Sequence, residues 1–248
     1  MSLDVVPTVI RVEPSGSRVR VDLRSGVLIP RLVHAGERDC VVALIAGGAL
    51  LLAGDHVHIE VEVGAGCRLR IEDVGGTVAY GGKDRESGWH VSVRVREGGQ
   101  LRWDALPFVV GAGANVHRTT DVELDAGAVA QLRETLVLGR HGEAGGRIRT
   151  STSIAIEGLA LLREELDIDG TAPLPGILGR HRVLDTALMV GRRATASQGG
   201  AVMQLDGPGT IVRALGNDTH LATIDAAWAA WRDESTTTED QQFQLAHP

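Results

Sequence analysis

Val61-Glu-Val-Gly-Ala-Gly-Cys-Arg-Leu69, Val93-Arg-Val-Arg-Glu-Gly-Gly-Gln-Leu101 and Val122-Glu-Leu-Asp-Ala-Gly-Ala-Val-Ala130 are three versions of one pattern. Each is an alternating strand, a turn of small residues and a second strand. The turns fall at Gly64, Gly98 and Gly127, separated by 34 and 29 residues, a spacing at which stacked β repeats and solenoid-like coils occur. Uneven spacing predicts stacked β layers joined by loops of variable length.

The same alternation extends outward through Arg18–Leu23, His56–Val63, Arg68–Glu72 and His90–Arg96, each with apolar residues on one face and polar residues on the other. Helical periodicity is absent before residue 150, which excludes the parallel α/β folds that place a helix between strands. The apolar run Val41–Ala53 reads as two buried strands around Gly47-Gly48 and is too short to span a membrane. Beyond the turn at Thr171-Ala-Pro-Leu-Pro-Gly176, strands are expected over Arg182–Val190 and Gly209–Leu215. One helix closes the pattern. Thr219 is its expected N-cap, and Leu221, Ile224, Trp228 and Trp231 form one apolar stripe. These four residues either lock the helix onto the sheet or anchor a partner. The expected fold is therefore mainly β, a stacked, solenoid-like two-layer structure with a few short helices, one near the C-terminus. Residues 1–234 are expected to form one domain and residues 235–248 a polar, flexible tail.

Among 248 residues, 43% are hydrophobic but only seven are aromatic, so the core is built from Val, Leu, Ile and Ala. At this length roughly 70–75% of the unfolded chain's surface is buried on folding, and no disulfide or metal staple is required. The 32 acidic residues outnumber 25 basic ones, of which only Lys83 is a lysine, a balance that disfavours nucleic acid as a partner. Cys40 and Cys67 lie in apolar strands without a CxxC neighbour and read as reduced core thiols. The first residues carry no basic region followed by an apolar one, so the expected location is the cytoplasm, without a membrane anchor.

No nucleophile elbow, P-loop, HExxH or paired CxxC occurs. His56 and His58, alternate residues of one strand, present two imidazoles to the same side and are the weak metal candidates. With a carboxylate they would suit a metal-dependent hydrolase or isomerase on a β scaffold; as the wet face of a strand they are solvated. His90 and His117 stand singly, without ligand spacing. Asp55, Glu143 and Glu164 are carboxylates beside apolar or Gly-rich runs, where each needs an arginine, a cap or a metal as partner.

Taken in order, Gly47-Gly48…Ala53-Gly54-Asp55, Gly64-Ala65, Thr77-Val-Ala-Tyr80, Leu101-x-Trp103…Leu106-Pro107, Gly113-Ala114, Gly139-Arg-His-Gly-Glu143 and Val212-Arg-Ala-Leu-Gly216…Ala227-Trp228…Trp231-Arg232 resemble the urease accessory proteins called UreD or UreH. The resemblance spans residues 18–232. It departs from the family pattern at Ala53-Gly54, where two glycines are usual, and at Leu106-Pro-Phe-Val109. It implies a non-enzymatic scaffold that binds UreF and, through it, the GTPase UreG, and that docks on apo-urease during nickel insertion. It implies no tightly bound cofactor, only transient nickel(II) moving through the body of the protein. Asp55 and Glu164, with Glu143 third, are the residues expected to line that passage. Isolated oxygen ligands suit a conduit because they bind an ion without trapping it.

Overall fold

The computed structural model describes residues 5–48, 50–82, 85–194 and 199–231. Strands are numbered in chain order. The first six are β1 (Thr8–Ser15), β2 (Arg18–Arg24), β3 (Leu28–Ala35), β4 (Asp39–Ala46), β5 (His56–Val63) and β6 (Arg68–Asp73). Then follow β7 (Thr77–Ala79), β8 (Ser87–Val95), β9 (Gln100–Asp104), β10 (Phe108–Val110), β11 (Asn115–Leu124) and β12 (Val129–Leu138). The last are β13 (Arg147–Ile156), β14 (Leu159–Asp169), β15 (Val183–Val190), β16 (Ala201–Gln204) and β17 (Gly209–Gly216). A single helix, α1, occupies 225–231 among the described residues.

The strands form two sheets. One has the order β14-β13-β11-β8-β5-β1-β2, the other β16-β17-β15-β12-β9-β6-β4-β3, with β7 and β10 completing the second beside β12. From β4 to β13 the chain passes back and forth between the sheets, and β5, β8, β11 and β13 run parallel, as do β4, β6, β9 and β12. This is the stacked, two-layer coil expected from the repeats. Antiparallel hairpins such as β1–β2 and β13–β14 close the ends. Val63 pairs with Val95 and Val95 with Leu124, so successive coils are offset by 32 and 29 residues. The first equivalent turn residue is therefore Gly66, not Gly64. Gly66, Gly98 and Gly127 share φ values of +61°, +61° and +65°, a left-handed conformation that glycine adopts without a Cβ penalty. The amides of Gly66 and Gly98 reach the next turn, at Glu97 O and Ala126 O.

The inward phase of the alternating strands supplies the core: Ile59, Val61 and Val63 face Leu69 and Ile71, and the pattern continues through Val93, Val95, Leu101 and Leu124. Cys40 and Cys67 are buried free thiols within it, and burial pushes the Cys40 thiol up to about 12. The expectation of a second strand within Val41–Ala53 is corrected. After Ala46 no strand forms before His56 among the described residues. Leu51 is fully buried with φ +60°, which a strand cannot accommodate, and its carbonyl accepts the Tyr80 amide at 3.0 Å.

The helix is also corrected at its start. Thr219 and Leu221 lie in a turn and α1 begins at 225. Leu221 is 70% exposed, whereas Ile224, Trp228 and Trp231 are buried against Ala187, Met189 and Val212 on the outer side of the second sheet. The stripe thus holds for three of its four members and packs inward. Residues 235–248 lie outside the described residues. No helix among the described residues is long and apolar enough to cross a membrane.

Candidate functional site

One layer of the sandwich breaks the apolar rule. In the first sheet, Thr120 pairs with Thr152 and Thr152 with Glu164, while the adjacent row pairs Arg118 with Thr150. In the second sheet, Glu134 pairs with Thr186 and Thr186 with Arg213. All occupy the inward phase of their strands, flanked by apolar neighbours such as Leu162 and Leu166, or Leu132 and Leu136. A polar seam therefore crosses the interior where regular alternation would place aliphatic side chains.

Charge drawn away from water must be paired, and the seam, where Arg118 is buried and Glu134, Glu164 and Arg213 are half-buried, obeys that rule with arginines. Glu164 accepts two hydrogen bonds from the guanidinium of Arg213, with Arg213 Nη1 at 2.8 Å. Arg118 pairs with Glu134 and lies 5.1 Å from the centre of the Phe108 ring. Burial lowers the Arg118 guanidinium to about 10, partly offset by Asp73. Its Nε has no hydrogen-bond partner.

Three cavities follow one another through this region. The first, about 60 Å³, is lined by Glu164, Arg213, Thr152, Arg118, Thr120 and Glu134, with room for a few waters. Arg118, Thr120 and Glu134 also wall a second cavity of about 60 Å³ that reaches Asp73, Leu106 and Phe108. Asp73, Leu106 and Arg133 in turn border an open groove of about 570 Å³ on the outer side of the second sheet. The second sheet is interrupted here, between β6 and β7 and between β9 and β10. Leu106 donates its amide to Asp73 at 3.1 Å, Trp103 Nε1 donates to the same carboxylate at 3.0 Å, and Pro107 has no amide to give. Burial raises the Asp73 carboxyl, partly offset by these two bonds.

Across the groove, Asp185, 1% exposed, accepts hydrogen bonds from Arg133, Thr135 and the Ile224 amide. Arg133 also pairs with Asp225 at 2.7 Å. Burial alone would lower the Arg133 guanidinium, but hydrogen bonds and charge from Asp185 and Asp225 raise it above its ordinary value. Arg102 stacks 3.9 Å over the Trp228 ring and donates to the Trp228 carbonyl at 3.0 Å. The start of α1 is thus tied to the groove wall.

Residues 13–245 match the model of the UreD urease accessory protein family. The chain is 40% identical to urease accessory protein UreD 1 of Streptomyces griseus over 240 residues, 92% of each chain. It is 34% identical to UreD 1 of Saccharopolyspora erythraea, covering 84% of this chain and 88% of that one, and 34% identical to UreD of Frankia alni, covering 86% and 80%. The chain belongs to the UreD family.

Against this UreD framework the three carboxylates read from the sequence separate. Glu164 lies in the seam. Glu143 sits in the β12–β13 loop beside a different cavity of about 110 Å³, held by Arg140 through both carboxylate oxygens and by the Arg140 and Ala112 amides. Asp55 borders none of these cavities and accepts the Leu52 amide at 2.8 Å, capping its own turn. The seam residues Arg118, Glu134, Thr120, Thr152 and Thr186 were missed, although each is a polar residue at an inward-phase position of an alternating strand.

His56 is exposed and His58 half-buried on the outer face of β5. They are not alone, and the reading of His90 and His117 as isolated is corrected. Parallel stacking sets His58 beside His90, with ring centres 4.8 Å apart, and His117 6.1 Å from His90. Among the described residues no three His, Cys, Asp or Glu side chains are arranged to hold a metal ion.

Proposed function

We propose that this chain is a non-enzymatic cytoplasmic scaffold for urease maturation that docks on apo-urease, recruits UreF and through it UreG, and passes nickel(II) between its two sheets. Membership in the UreD family supports the maturation role. The observation that carries the nickel route is the series of cavities from the outer groove past Asp73, through the Arg118–Glu134 pair, to Glu164. Nickel is cargo here. Each carboxylate in the seam already faces an arginine, so an entering cation competes with a fixed positive partner and is released readily; weak sites in series favour passage over storage. Of the partner-binding candidates, Leu221 is presented to solvent, while Ile224, Trp228 and Trp231 anchor the segment that carries it.

The test replaces Glu134 and Glu164 together by Gln, in cells expressing urease and its accessory proteins. Size is retained, the charge is lost, and one of the two acceptor oxygens of each side chain becomes an NH2 donor. The expected result is normal recovery of the complex with UreF, UreG and urease, together with nickel-poor urease. Normal nickel content would overturn the route, and loss of the complex would assign these carboxylates to assembly.

A further inference from the structure

The outer face of the first sheet, opposite the seam, carries four imidazoles around one missing side chain. His56, Gly88 and His117 stand in one cross-strand row on β5, β8 and β11, and His58, His90 and Thr119 in the next. A Cβ built on Gly88 would lie 2.4 Å from His56 Nδ1 and 3.1 Å from His90 Nε2. The missing side chain thus leaves room for the His56 ring over Gly88, with His90 Nε2 facing the same spot from the next row, His117 paired with Gly88 on the other side and His58 against His90.

The second ring nitrogen of His90 is already engaged. Nδ1 is 2.6 Å from Thr119 Oγ1. With the proton on Nδ1 donated to that hydroxyl, Nε2 keeps its lone pair directed at the Gly88 gap. Such an outer hydrogen bond is how ligating histidines are fixed in tautomer and orientation. An imidazole-to-metal bond is about 2.0–2.1 Å, so an ion shared by the two nitrogens sits above Gly88, further from its Cα than a Cβ would be, once His90 has rotated toward His56.

We propose that the Gly88 gap is a surface site for one divalent transition-metal ion of borderline softness, Ni²⁺ or Zn²⁺, held by His56 Nδ1 and His90 Nε2, with water completing its coordination. Imidazole pairs suit these ions, whereas Mg²⁺ prefers oxygen donors. The site stands apart from the passage: it lies on the opposite face of the first sheet and uses none of the seam carboxylates.

The test titrates the full chain with ZnCl₂, NiCl₂ or MgCl₂ alone, by calorimetry and by NMR of the histidine rings. The expected result is that His56 and His90 signals shift with Zn²⁺ and not with Mg²⁺. His56→Ala with His90→Ala removes one equivalent of bound Ni²⁺ or Zn²⁺, while His34→Ala removes none. Thr119→Val weakens that equivalent by about 10- to 100-fold. Gly88→Ala is the independent check, because φ at Gly88 is not positive and the exposed His56 ring can swing aside, so the methyl displaces His56 from its ligating position in a folded protein. Glu134→Gln with Glu164→Gln leaves this equivalent in place, which distinguishes its failure from that of the passage. Unchanged stoichiometry in both the double-histidine and Gly88→Ala variants would overturn the proposal, as would equal ring shifts with Mg²⁺.

Discussion

Glu143 and Glu164 both face an arginine, yet their surroundings give them different tasks. Glu143 is gripped by the Arg140 side chain and by two amides, and these bonds, the Arg140 side chain first, bring its carboxyl from 4.5 down to about 2. A carboxylate held below its unfolded value contributes stability that is fully present above that value and lost as pH falls through the folded one. The Arg140–Glu143 loop should therefore keep its full contribution above pH 4.5 and lose it as pH falls toward about 2. A carbon-detected titration of the Glu143 carboxyl should give a midpoint near 2, moving back toward 4.5 in Arg140→Ala; an unmoved midpoint would show that the amides alone set it. Glu164, between Leu162 and Leu166 on an inward face, is the residue whose placement was legible, because a charge inside an apolar alternation must answer to another charge. Asp55 carries no such signal. A Gly-Asp pair after an apolar run marks a turn cap as well as a lining residue, and one Asp55 oxygen accepts the Leu52 amide at 2.8 Å.

At the scale of the element, α1 shows how a distant residue sets a helix boundary. Ile224 gives its amide to Asp185, 39 positions earlier in the chain, and Arg133 reaches both Asp185 and Asp225. Asp185→Ala leaves Arg133 with only its exposed partners and frees the first turn. Breaking a buried pair from one side costs about 3–5 kcal/mol, so denaturant unfolding should show a loss at the lower end of that range, since Asp225 remains. Trp231 fluorescence should report the loosened helix, and a loss below about 0.5 kcal/mol, the usual scale of a surface change, would show that Trp packing alone holds α1. The stripe Ile224, Trp228, Trp231 could be read from helical spacing, whereas its starting point could not, because no local sequence records a bond from β15. The coils followed the same division. Alternation announced the strands, but Gly64 and Gly66 flank one alanine, and it takes the strand register and the hydrogen bond from Gly66 to Glu97 to identify the stacked turn. The imidazole cluster was hidden for a related reason, since His58 and His90 meet through an offset of 32 residues that no short motif contains.

For the whole molecule, parallel coils provide two closed faces and an interior that could have been aliphatic throughout. Instead the seam carries Arg118, Glu134, Glu164 and Arg213 across β11–β14 and β12–β17, beside the interruptions between β6 and β7 and between β9 and β10. Stability gives no reason for it: replacing a buried ion pair by well-packed apolar residues is commonly neutral or stabilising by about 1–4 kcal/mol, while removing one partner costs about 3–5 kcal/mol, both figures reduced for the Arg118 pair because 35% of the Glu134 side chain is exposed. This asymmetry separates a structural role from passage. Arg118→Met alone strands Glu134 and should lower the unfolding free energy. Arg118→Met with Glu134→Leu removes both charges, keeps similar volume beside Phe108 and closes the wall shared by the two inner cavities. The double variant should melt at or above the wild-type temperature and still be recovered with its maturation partners, yet leave urease poor in nickel. A double variant as stable as wild type that loads urease normally would show that the seam carries no ion, whereas one that recovers neither stability nor complex formation would assign the pair to the fold.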